Sequence, residues 1–391
     1  MTAQSTSDRS RAWVEVDLEA LLTNAQMVRR AAGGTPLLPM VKADAYGLGI
    51  ERVVRALSGG LEKGALWGFG VATIVEAEAL RRIGWQGRVV AFSPALRGDF
   101  ERALAAGCSL TVADLEGLAS LARAARAAGG EAAVQVEIDT GMGRSGVPWD
   151  GAGRWGRDLA RCLSGGGLRW EGVFTHFHSA DESDLATTDE QWQRFRRALA
   201  ELERAAAPYR PEARHAANSA AALRRPGSAL DLVRPGIFLY GGEVGAPIRP
   251  EPVVSLRARL ARLASVPRGA TVGYGAEYSA PGPERWGTSA IGYGDGLPRA
   301  LWTGRGGALV RGKRVPVIGR VSMDVTTLDL TGVPAAEVGD VVTFLGRDGD
   351  AELRLDEVAG RCGTISYEVL TGLTARLPRV YDRSGRSGAR S

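Results

Sequence analysis

The sequence is poor in cysteine, histidine and lysine, and each shortage narrows the functions that fit it. The 391 residues include three cysteines, three histidines and three lysines. The cysteines are scattered and form no CxxC pair, so we expect no disulfide framework. Of the 49 basic residues, all but the three lysines are arginine. Chemistry that needs a lysine therefore has three candidates, which are Lys42, Lys63 and Lys313.

Long apolar runs and clustered charge are missing too. No run of about 18 apolar residues is present, as a membrane-spanning helix would need. The first residues, MTAQSTSDRSRAW, lack the apolar stretch of a secretory signal. The net charge of +5 is small, and acidic and basic residues are mixed along the chain. We therefore expect a cytoplasmic protein that binds neither membrane nor nucleic acid.

From residue 17 to 243 short apolar runs alternate with amphipathic stretches. Residues 17–32 have the apolar spacing of a helix, with Asp17 as its N-cap. Eight strand-like runs, each followed by a helical pattern, lie at 36–42, 67–72, 87–92, 109–113, 132–139, 170–177, 214–218 and 230–240. Eight such units predict an α/β fold, a (β/α)8 TIM barrel. An open, doubly wound sheet is the alternative.

Beyond Tyr240 the pattern changes. The segment GGEVGAPIRP is typical of a linker, and the runs after it are separated by glycine and proline turns. We predict a barrel domain over 1–243 and a mostly β C-terminal domain over 244–381. Residues 10–16 are a candidate to pack on the second domain, and 382–391 are predicted to be a flexible tail.

Lys42 is the candidate reactive residue, because it ends the first predicted strand, in VKADAYGLG. In TIM barrels the chemistry lies at the C-terminal ends of the strands. A partly desolvated amine loses its proton more readily and can form a Schiff base. A plain exposed charge is the alternative. That alternative is weakened because arginine has replaced lysine almost everywhere else, and arginine can serve as a surface charge but cannot form an imine.

Four further motifs end at the same rim: DTGMGRSG, THFH, HAANSAA and RPGIFLYG. Small residues near a helix start, as at Asn218 and Ser219, can hold a phosphate, and Gly236 and Ile237 could add two donors. Ordinary turns are the alternative. The histidines of THFH share one face of a strand, but only one other histidine exists and no cysteine is near. We therefore expect no metal site.

Eleven strings in order resemble the bacterial alanine racemase family over about residues 13–381: WVEVDLEALLTN, VKADAYGLG, GFGVA, DTGMGRSG, THFHSADE, HAANSAA, VRPGIFLYG, VGYG, IGYGDGLPR, GRVSMD and ISYEVLTGL. The resemblance implies an isomerase that uses pyridoxal 5'-phosphate (PLP), of fold type III, with the cofactor bound in the barrel. It implies a head-to-tail homodimer with shared active sites that interconverts L- and D-alanine, for D-alanine biosynthesis. A racemase of broader or different specificity, acting on serine, lysine or ornithine, is the alternative.

The resemblance also assigns roles to residues. Lys42 would form the Schiff base with PLP and act as one base, and Tyr274 from the partner subunit would act as the opposite base. The other cofactor-binding residues would be Tyr46, His176, Asn218, Ser219, Arg234, Gly236, Ile237 and Tyr367. The substrate carboxylate would bind Arg144 and the backbone N–H of Met323 from the other subunit. His215 would support Arg234, while Tyr293 and Asp324 would line the access corridor.

Two positions depart from the family. The family usually has a lysine, carbamylated to an anion, two residues before the aspartate of DTGM, and here that position is Glu137. A glutamate is negative without carbon dioxide, so we predict that Glu137 orients Arg144; a relaxed site that accepts larger side chains is the alternative. Leu48 replaces a common histidine in AYGHG, and we expect it to alter packing without loss of activity.

Overall fold

The computed structural model describes residues 10–302 and 304–382. The chain enters through strand β1 (Ala12–Asp17) and helix α1 (Leu18–Ala31). The Asp17 carboxylate accepts hydrogen bonds from the backbone N–H groups of Glu19 and Ala20, both at 2.9 Å. This is the predicted N-cap, which satisfies two of the free donors of the first turn. The predicted tail lies outside the described residues, apart from Asp382.

The barrel is built from short parallel strands that alternate with helices. The strands are β2 (Phe69–Val71), β3 (Val89–Ala91), β4 (Ser109–Val112), β5 (Ala132–Asp139), β6 (Val147–Pro148), β7 (Leu168–Phe174) and β8 (Ala213–His215). The helices are α2 (Ile50–Gly60), α3 (Ile74–Arg82), α4 (Phe100–Ala106), α5 (Leu115–Ala127), α6 (Ala152–Ser164), α7 (Ala186–Ala205) and α8 (Ser219–Arg224). The strand order is β2-β3-β4-β5-β7-β8, with β6 paired to β5 alone.

Two of the eight predicted strands are not regular strands. Residues 36–42 and 230–236 pair through isolated parallel bridges, among them Leu37 with Leu66, Leu37 with Val233 and Asn218 with Arg234. The predicted last strand ends in a short 3-10 helix, Ile237–Tyr240. These bridges join the first segment to both its neighbours and so close the ring of eight. The prediction of a TIM barrel is confirmed, although two of its eight strand positions are occupied by irregular segments.

Proline explains the irregularity. Pro36 and Pro39 lie in the first segment and Pro235 in the last. A proline has no backbone N–H and therefore removes a hydrogen bond from the ladder. The remaining donors still pair, as where the N–H of Leu38 donates to the carbonyl of Val233 at 2.8 Å.

The second half of the chain is mostly β, as predicted. Its strands are β9 (Val254–Val266), β10 (Thr271–Val272), β11 (Tyr278–Ser279), β12 (Glu284–Ser289), β13 (Gly307–Val310), β14 (Lys313–Ile318), β15 (Thr326–Asp329), β16 (Val341–Asp348), β17 (Ala351–Leu353) and β18 (Arg379–Asp382). Two helices, α9 (Leu355–Cys362) and α10 (Ser366–Thr371), precede β18. The main sheet has the order β17-β16-β13-β14-β15-β12-β9-β1-β18.

The first strand of the chain belongs to this second sheet. Strand β1 runs antiparallel to β9 and parallel to β18. The start of the chain therefore ties the barrel to the C-terminal sheet. The boundaries at residues 243 and 381 stay predictions. Within the described residues, no helix is long and apolar enough to cross a membrane.

Candidate active site at the mouth of the barrel

A cavity of about 220 Å³ lies at the C-terminal ends of the barrel strands. Ten of the predicted site residues line it: Lys42, Tyr46, Arg144, His176, Asn218, Ser219, Arg234, Gly236, Ile237 and Tyr367. They come from widely separated parts of the chain and meet because parallel strands end at one rim. Residues that the sequence did not single out also line it, among them Met40, Phe92, Met142, Phe174 and Asp181.

Lys42 begins a tight left-handed turn, Lys42–Gly47. The four residues Ala43 to Tyr46 have φ between 52° and 59°, although none is glycine. Each such residue costs roughly 1–2 kcal/mol, so the turn needs support from its surroundings. The Glu76 carboxylate supplies it by accepting hydrogen bonds from the backbone N–H groups of Ala43 and Ala72, both at 2.7 Å. The start of α3 thereby fixes the segment that carries the lysine.

The surroundings of Lys42 favour its unprotonated form. Desolvation in the cavity lowers the pKa of the Lys42 amine, and the nearby charge of Arg144 lowers it further. The Glu76 carboxylate opposes both by favouring the charged amine. The unprotonated amine is the form of lysine that attacks a carbonyl group, and a lowered pKa makes that form more abundant.

A small polar cradle lies around Gly236, in the same cavity as Lys42. The Gly236 N–H donates to the Ser219 hydroxyl at 2.8 Å. A Cβ at position 236 would lie 2.5 Å from the Tyr46 hydroxyl oxygen, so glycine is needed for this approach. The Tyr46 ring is held by stacking on Tyr240, with centroids 4.4 Å apart. Asn218 caps α8 through the backbone N–H of Ala221, at 2.9 Å.

Arg234 is buried and clamped from several sides. Its Nη1 lies 2.7 Å from Nδ1 of His215, and its Nη2 donates to the carbonyl of Thr175 at 2.8 Å. The guanidinium also lies over the ring of Phe174, at 5.3 Å. Among the described residues, no hydrogen-bond acceptor is placed on its Nε–H. The side chain is therefore held on several sides, and its Nε–H remains available to a ligand in the cavity.

Burial and positive charge keep both neighbouring histidines neutral. Burial, reinforced by Arg234, lowers the pKa of His176 to about 3. The same two causes lower the pKa of His215 well below its usual range. Burial lowers the pKa of Arg234 to about 10, which still leaves it protonated at neutral pH. Arg234 therefore keeps its proton while the imidazoles accept hydrogen bonds from it.

Glu137 lies close to Arg144, the residue that it is predicted to orient. Its carboxylate is buried, and one oxygen lies 3.9 Å from Nη2 of Arg144, whose side chain is 57% exposed. Burial raises the pKa of Glu137, and the charge of Arg144 opposes that rise. The loop between them is held by Asp139, which accepts hydrogen bonds from the N–H groups of Gly141 and Gly143 at 2.9 and 3.1 Å.

Four predicted site residues lie elsewhere, on the surface of the second half of the chain. Tyr274 is 70% exposed and Met323 is 52% exposed. Tyr293 and Asp324 flank Met323, because the N–H of Gly294, next to Tyr293, donates to the Met323 carbonyl at 2.8 Å. In the described part of the chain, these four are outside the lining of the cavity that contains Lys42.

The remaining departure, Leu48, is a packing residue. It is fully buried in the main core, and its carbonyl accepts a hydrogen bond from the Tyr381 hydroxyl at 2.9 Å. A leucine at this position therefore fills the interface between the left-handed turn and β18.

Gln191 on α7 is a structural contributor that sequence reasoning missed. Its amide nitrogen donates to the Thr140 hydroxyl and to the carbonyl of His176, both at 3.2 Å. It thus ties the loop before Arg144 to the strand end that carries His176. A lone glutamine in a charged helix gave no sequence signal, since its partners become adjacent only in the fold. Within the described residues, no group of three or more potential ligands is placed to hold a metal ion.

Comparison with known proteins agrees with this architecture. The family "Alanine racemase, N-terminal domain" matches residues 16–244, and "Alanine racemase, C-terminal domain" matches residues 253–381. An alanine racemase of Desulfosudis oleivorans is 39% identical over 391 residues, which cover 97% of this chain and 98% of that protein. One from Symbiobacterium thermophilum is 38% identical and covers 94% of this chain and 96% of that protein.

Solved structures agree as well. The alanine racemase of D-cycloserine-producing Streptomyces lavendulae superposes with a TM-score of 0.89 at 34% identity, covering 95% of this chain and 97% of that one. That of Streptomyces coelicolor superposes with a TM-score of 0.89 at 36% identity, covering 97% of this chain and all of that one. The similarity in sequence and structure covers both domains and nearly the whole length of each relative, which establishes the family. The chain belongs to the alanine racemase family and is an enzyme of the racemase class.

Proposed function

We propose that this enzyme interconverts L- and D-alanine, uses PLP held by Lys42, and works as a homodimer whose active sites combine residues of two copies. The observation that carries the proposal is the barrel cavity, which is lined by a lysine of lowered pKa, by a buried and clamped arginine, and by the polar residues around Gly236. The alanine racemase names of relatives that cover nearly the whole chain support the choice of substrate.

The residues of the cavity fit PLP at three points. The Lys42 amine suits an aldehyde. The Ser219 and Tyr46 hydroxyl groups suit a phosphate, together with the N–H of Ile237 and the Gly236 N–H that now donates to Ser219. A Cβ at position 236 would crowd the Tyr46 hydroxyl. The Nε–H of Arg234 suits a ring nitrogen, because it has no protein acceptor within the described residues. Tyr367 and Asn218 complete the cradle, and His176 would lie beside the ring.

Racemisation needs one proton removed from one face of the α-carbon and another returned to the opposite face. Lys42 Nζ would move the proton on one face. Tyr274, the predicted second base, is exposed and lies outside the lining of its own chain's cavity. We propose that the Tyr274 hydroxyl of a second copy reaches the opposite face. In that assembly His176 would contact Tyr274 and help a weak base to act.

Arg234 would favour racemisation over side reactions. Bound PLP withdraws electrons from the substrate's α-carbon and so makes its proton easier to remove. Because Arg234 stays protonated, it would donate to the ring nitrogen, which would remain unprotonated, and the electron withdrawal would be moderate. Return of a proton to the same α-carbon is then favoured over transamination. His215 supports this by accepting from Arg234.

Recognition of the substrate would combine both halves of the dimer. Arg144 opens into the cavity and can pair with the substrate carboxylate, a charge-assisted contact. The backbone N–H of Met323 from the second copy would be the other donor. Tyr293 and Asp324, which flank Met323, would narrow the corridor and select a small amino acid.

Glu137 would supply the anion that the family usually obtains from a carbamylated lysine. Its buried carboxylate lies within ion-pair range of Arg144 and can hold the guanidinium toward the substrate. We expect Glu137→Gln to raise KM about threefold with a smaller change in kcat, because an ion pair with a largely exposed arginine contributes roughly 0.5–1 kcal/mol. Steady-state kinetics with and without added bicarbonate would measure this. An unchanged KM and turnover would show that Glu137 has no such role.

The test of the function uses the purified protein. Reduction with borohydride should fix the cofactor onto Lys42, and peptide mapping need only separate three lysines. In a separate, unreduced sample, proton NMR in deuterated water should show deuterium entering the α-position of L-alanine as the optical activity vanishes. Exchange only with serine, lysine or ornithine would favour the alternative specificity. Protein that binds no PLP would contradict the proposal.

A further inference from the structure

A chain of buried polar side chains crosses the interior of the barrel beneath Arg234. Glu171, Gln135 and His215 are each at most 3% exposed. Gln135 Nε2 lies 3.1 Å from Oε2 of Glu171, and Gln135 Oε1 lies 3.1 Å from Nε2 of His215. His215 Nδ1 in turn lies 2.7 Å from Nη1 of Arg234. Buried polar groups of this kind persist only when each is satisfied.

The chemistry of these groups fixes the direction of every hydrogen bond. Glu171 is held as an acceptor by Arg169, whose Nη2 lies 3.1 Å from its Oε1. The amide end of Gln135 beside that carboxylate must therefore be the NH2 group. The Gln135 carbonyl then faces His215 and can only accept, so the proton of His215 must be on Nε2. Nδ1 is left with a lone pair, which accepts from Arg234.

Two features of the backbone make room for this arrangement. Along β5 and β7, Val134 pairs with Trp170 but Gln135 pairs with Gly172, so Glu171 is an extra residue on β7. A shift of this kind turns a side chain that alternation would place on the other face. At Gly172, a Cβ would lie 1.9 Å from the Gln135 carbonyl oxygen. Glycine at this position therefore keeps the slot open for the Gln135 amide.

We propose that Gln135 and Glu171 are positioning residues that hold His215 as the neutral Nε2–H tautomer, and thereby fix Arg234 at the cavity. The inference rests on the proposed function for its effect on turnover, since Arg234 matters there through the cofactor ring. The tautomer itself is independent of that function. If His215 carried its proton on Nδ1, two donors would face each other across 2.7 Å and Arg234 would have to move.

Nitrogen NMR of the full-length protein labelled with [¹⁵N]histidine tests the tautomer directly. The chain has three histidines, so few ring signals need assignment, and His176→Asn and His178→Asn samples identify those of His215 by elimination. Solid-state spectra separate protonated from unprotonated ring nitrogens, and carbon correlations tell Nδ1 from Nε2. We expect a protonated Nε2 and an unprotonated Nδ1. A protonated Nδ1, alone or in an imidazolium, would overturn the proposal.

Variants test the link from Gln135 to Arg234. Gln135→Met keeps the side-chain length without the amide, and Gly172→Ala displaces the amide without removing it. Each should lose the single tautomer and lower kcat about 10-fold, as loss of an outer histidine partner does elsewhere. Ser109→Ala is the matched control: Ser109 lies 3.3 Å from Gln135 Nε2, and its loss leaves the carbonyl on His215.

The outcomes separate this inference from the proposed function. The Ser109→Ala enzyme should keep the tautomer and turn over within about twofold of the unaltered protein. Turnover unchanged in both Gln135→Met and Gly172→Ala, with unchanged His215 signals, would refute the positioning role. An unaltered protein that binds no PLP and racemises nothing would refute the proposed function instead, and the tautomer would still be read from its own spectrum.

Discussion

The two groups of predicted site residues differ in burial and in the number of hydrogen bonds that they make within one chain. Those in the barrel, such as Arg234 and His215, are buried and hydrogen-bonded on several sides within one chain. Those on the second half, such as Tyr274 and Met323, are largely exposed. Exposed large side chains grouped on one surface commonly mark an interaction site. This difference supports the proposal that one copy builds the cofactor-binding part of the site and a second copy supplies the rest.

Among the variants considered, Lys42→Arg should lower turnover the most, because it changes the reactive residue of the barrel group. Arginine keeps the positive charge but neither forms an imine nor gives up its proton near neutral pH. We expect kcat to fall by about 10⁴-fold, the upper range for loss of an acid–base group. Lys63→Arg is the matched control, since Lys63 is exposed and away from the cavity. Equal losses in the two variants, or residual activity near that of the unaltered enzyme, would contradict the role of Lys42.

Met323→Asp should disrupt the proposed contact between two copies of the chain. A buried, unpaired carboxylate at a dimer interface is costly, so we expect sedimentation to show monomers. Turnover should fall by about 10²-fold or more, because the opposite base no longer reaches the cavity. Val338→Asp is the control, since Val338 is 62% exposed and lies outside the predicted set. A Met323→Asp protein that remains a fully active dimer would place the interface elsewhere.

A smaller effect concerns the pKa of Lys42. The unprotonated amine attacks the cofactor's aldehyde, so attachment becomes faster as the pH rises through the Lys42 pKa. Arg144 lowers that pKa and Glu76 raises it. Arg144→Gln should therefore move the midpoint of attachment to higher pH, and Glu76→Gln should move it to lower pH. Reconstitution rates followed by absorbance across the pH range measure both, and shifts in the same direction would refute this electrostatic account.

Local sequence signals predicted much of the barrel and many of the residues that line its cavity. Asp17 is the N-cap that its position before an apolar helical pattern predicts. Lys42 and Arg234 line one cavity because the C-terminal ends of the strands converge in a parallel barrel. The sequence alone predicts this convergence once the strands and their order are recognised. The same convergence brings Ser219 and Gly236 together, although 17 residues separate them along the chain.

Other features depend on contacts that no local pattern records. The left-handed turn after Lys42 consists of ordinary residues, and Glu76 stabilises it from another element. The slot at Gly172 exists because β7 carries an extra residue relative to β5, which is visible only once the strands are paired. Prolines in the first and last barrel segments were visible in the sequence, yet those segments still read as strands because their apolar runs dominate the pattern.

The shared site is the central claim, and mixed dimers test it most directly. Lys42→Ala and Tyr274→Phe proteins, each inactive alone, would be unfolded together, refolded and separated by different affinity tags so that only mixed dimers remain. One of the two sites in such a dimer would have both Lys42 and Tyr274 intact. We predict recovery of about half the activity of the unaltered dimer. Verified mixed dimers without any recovery would contradict a site built from two copies.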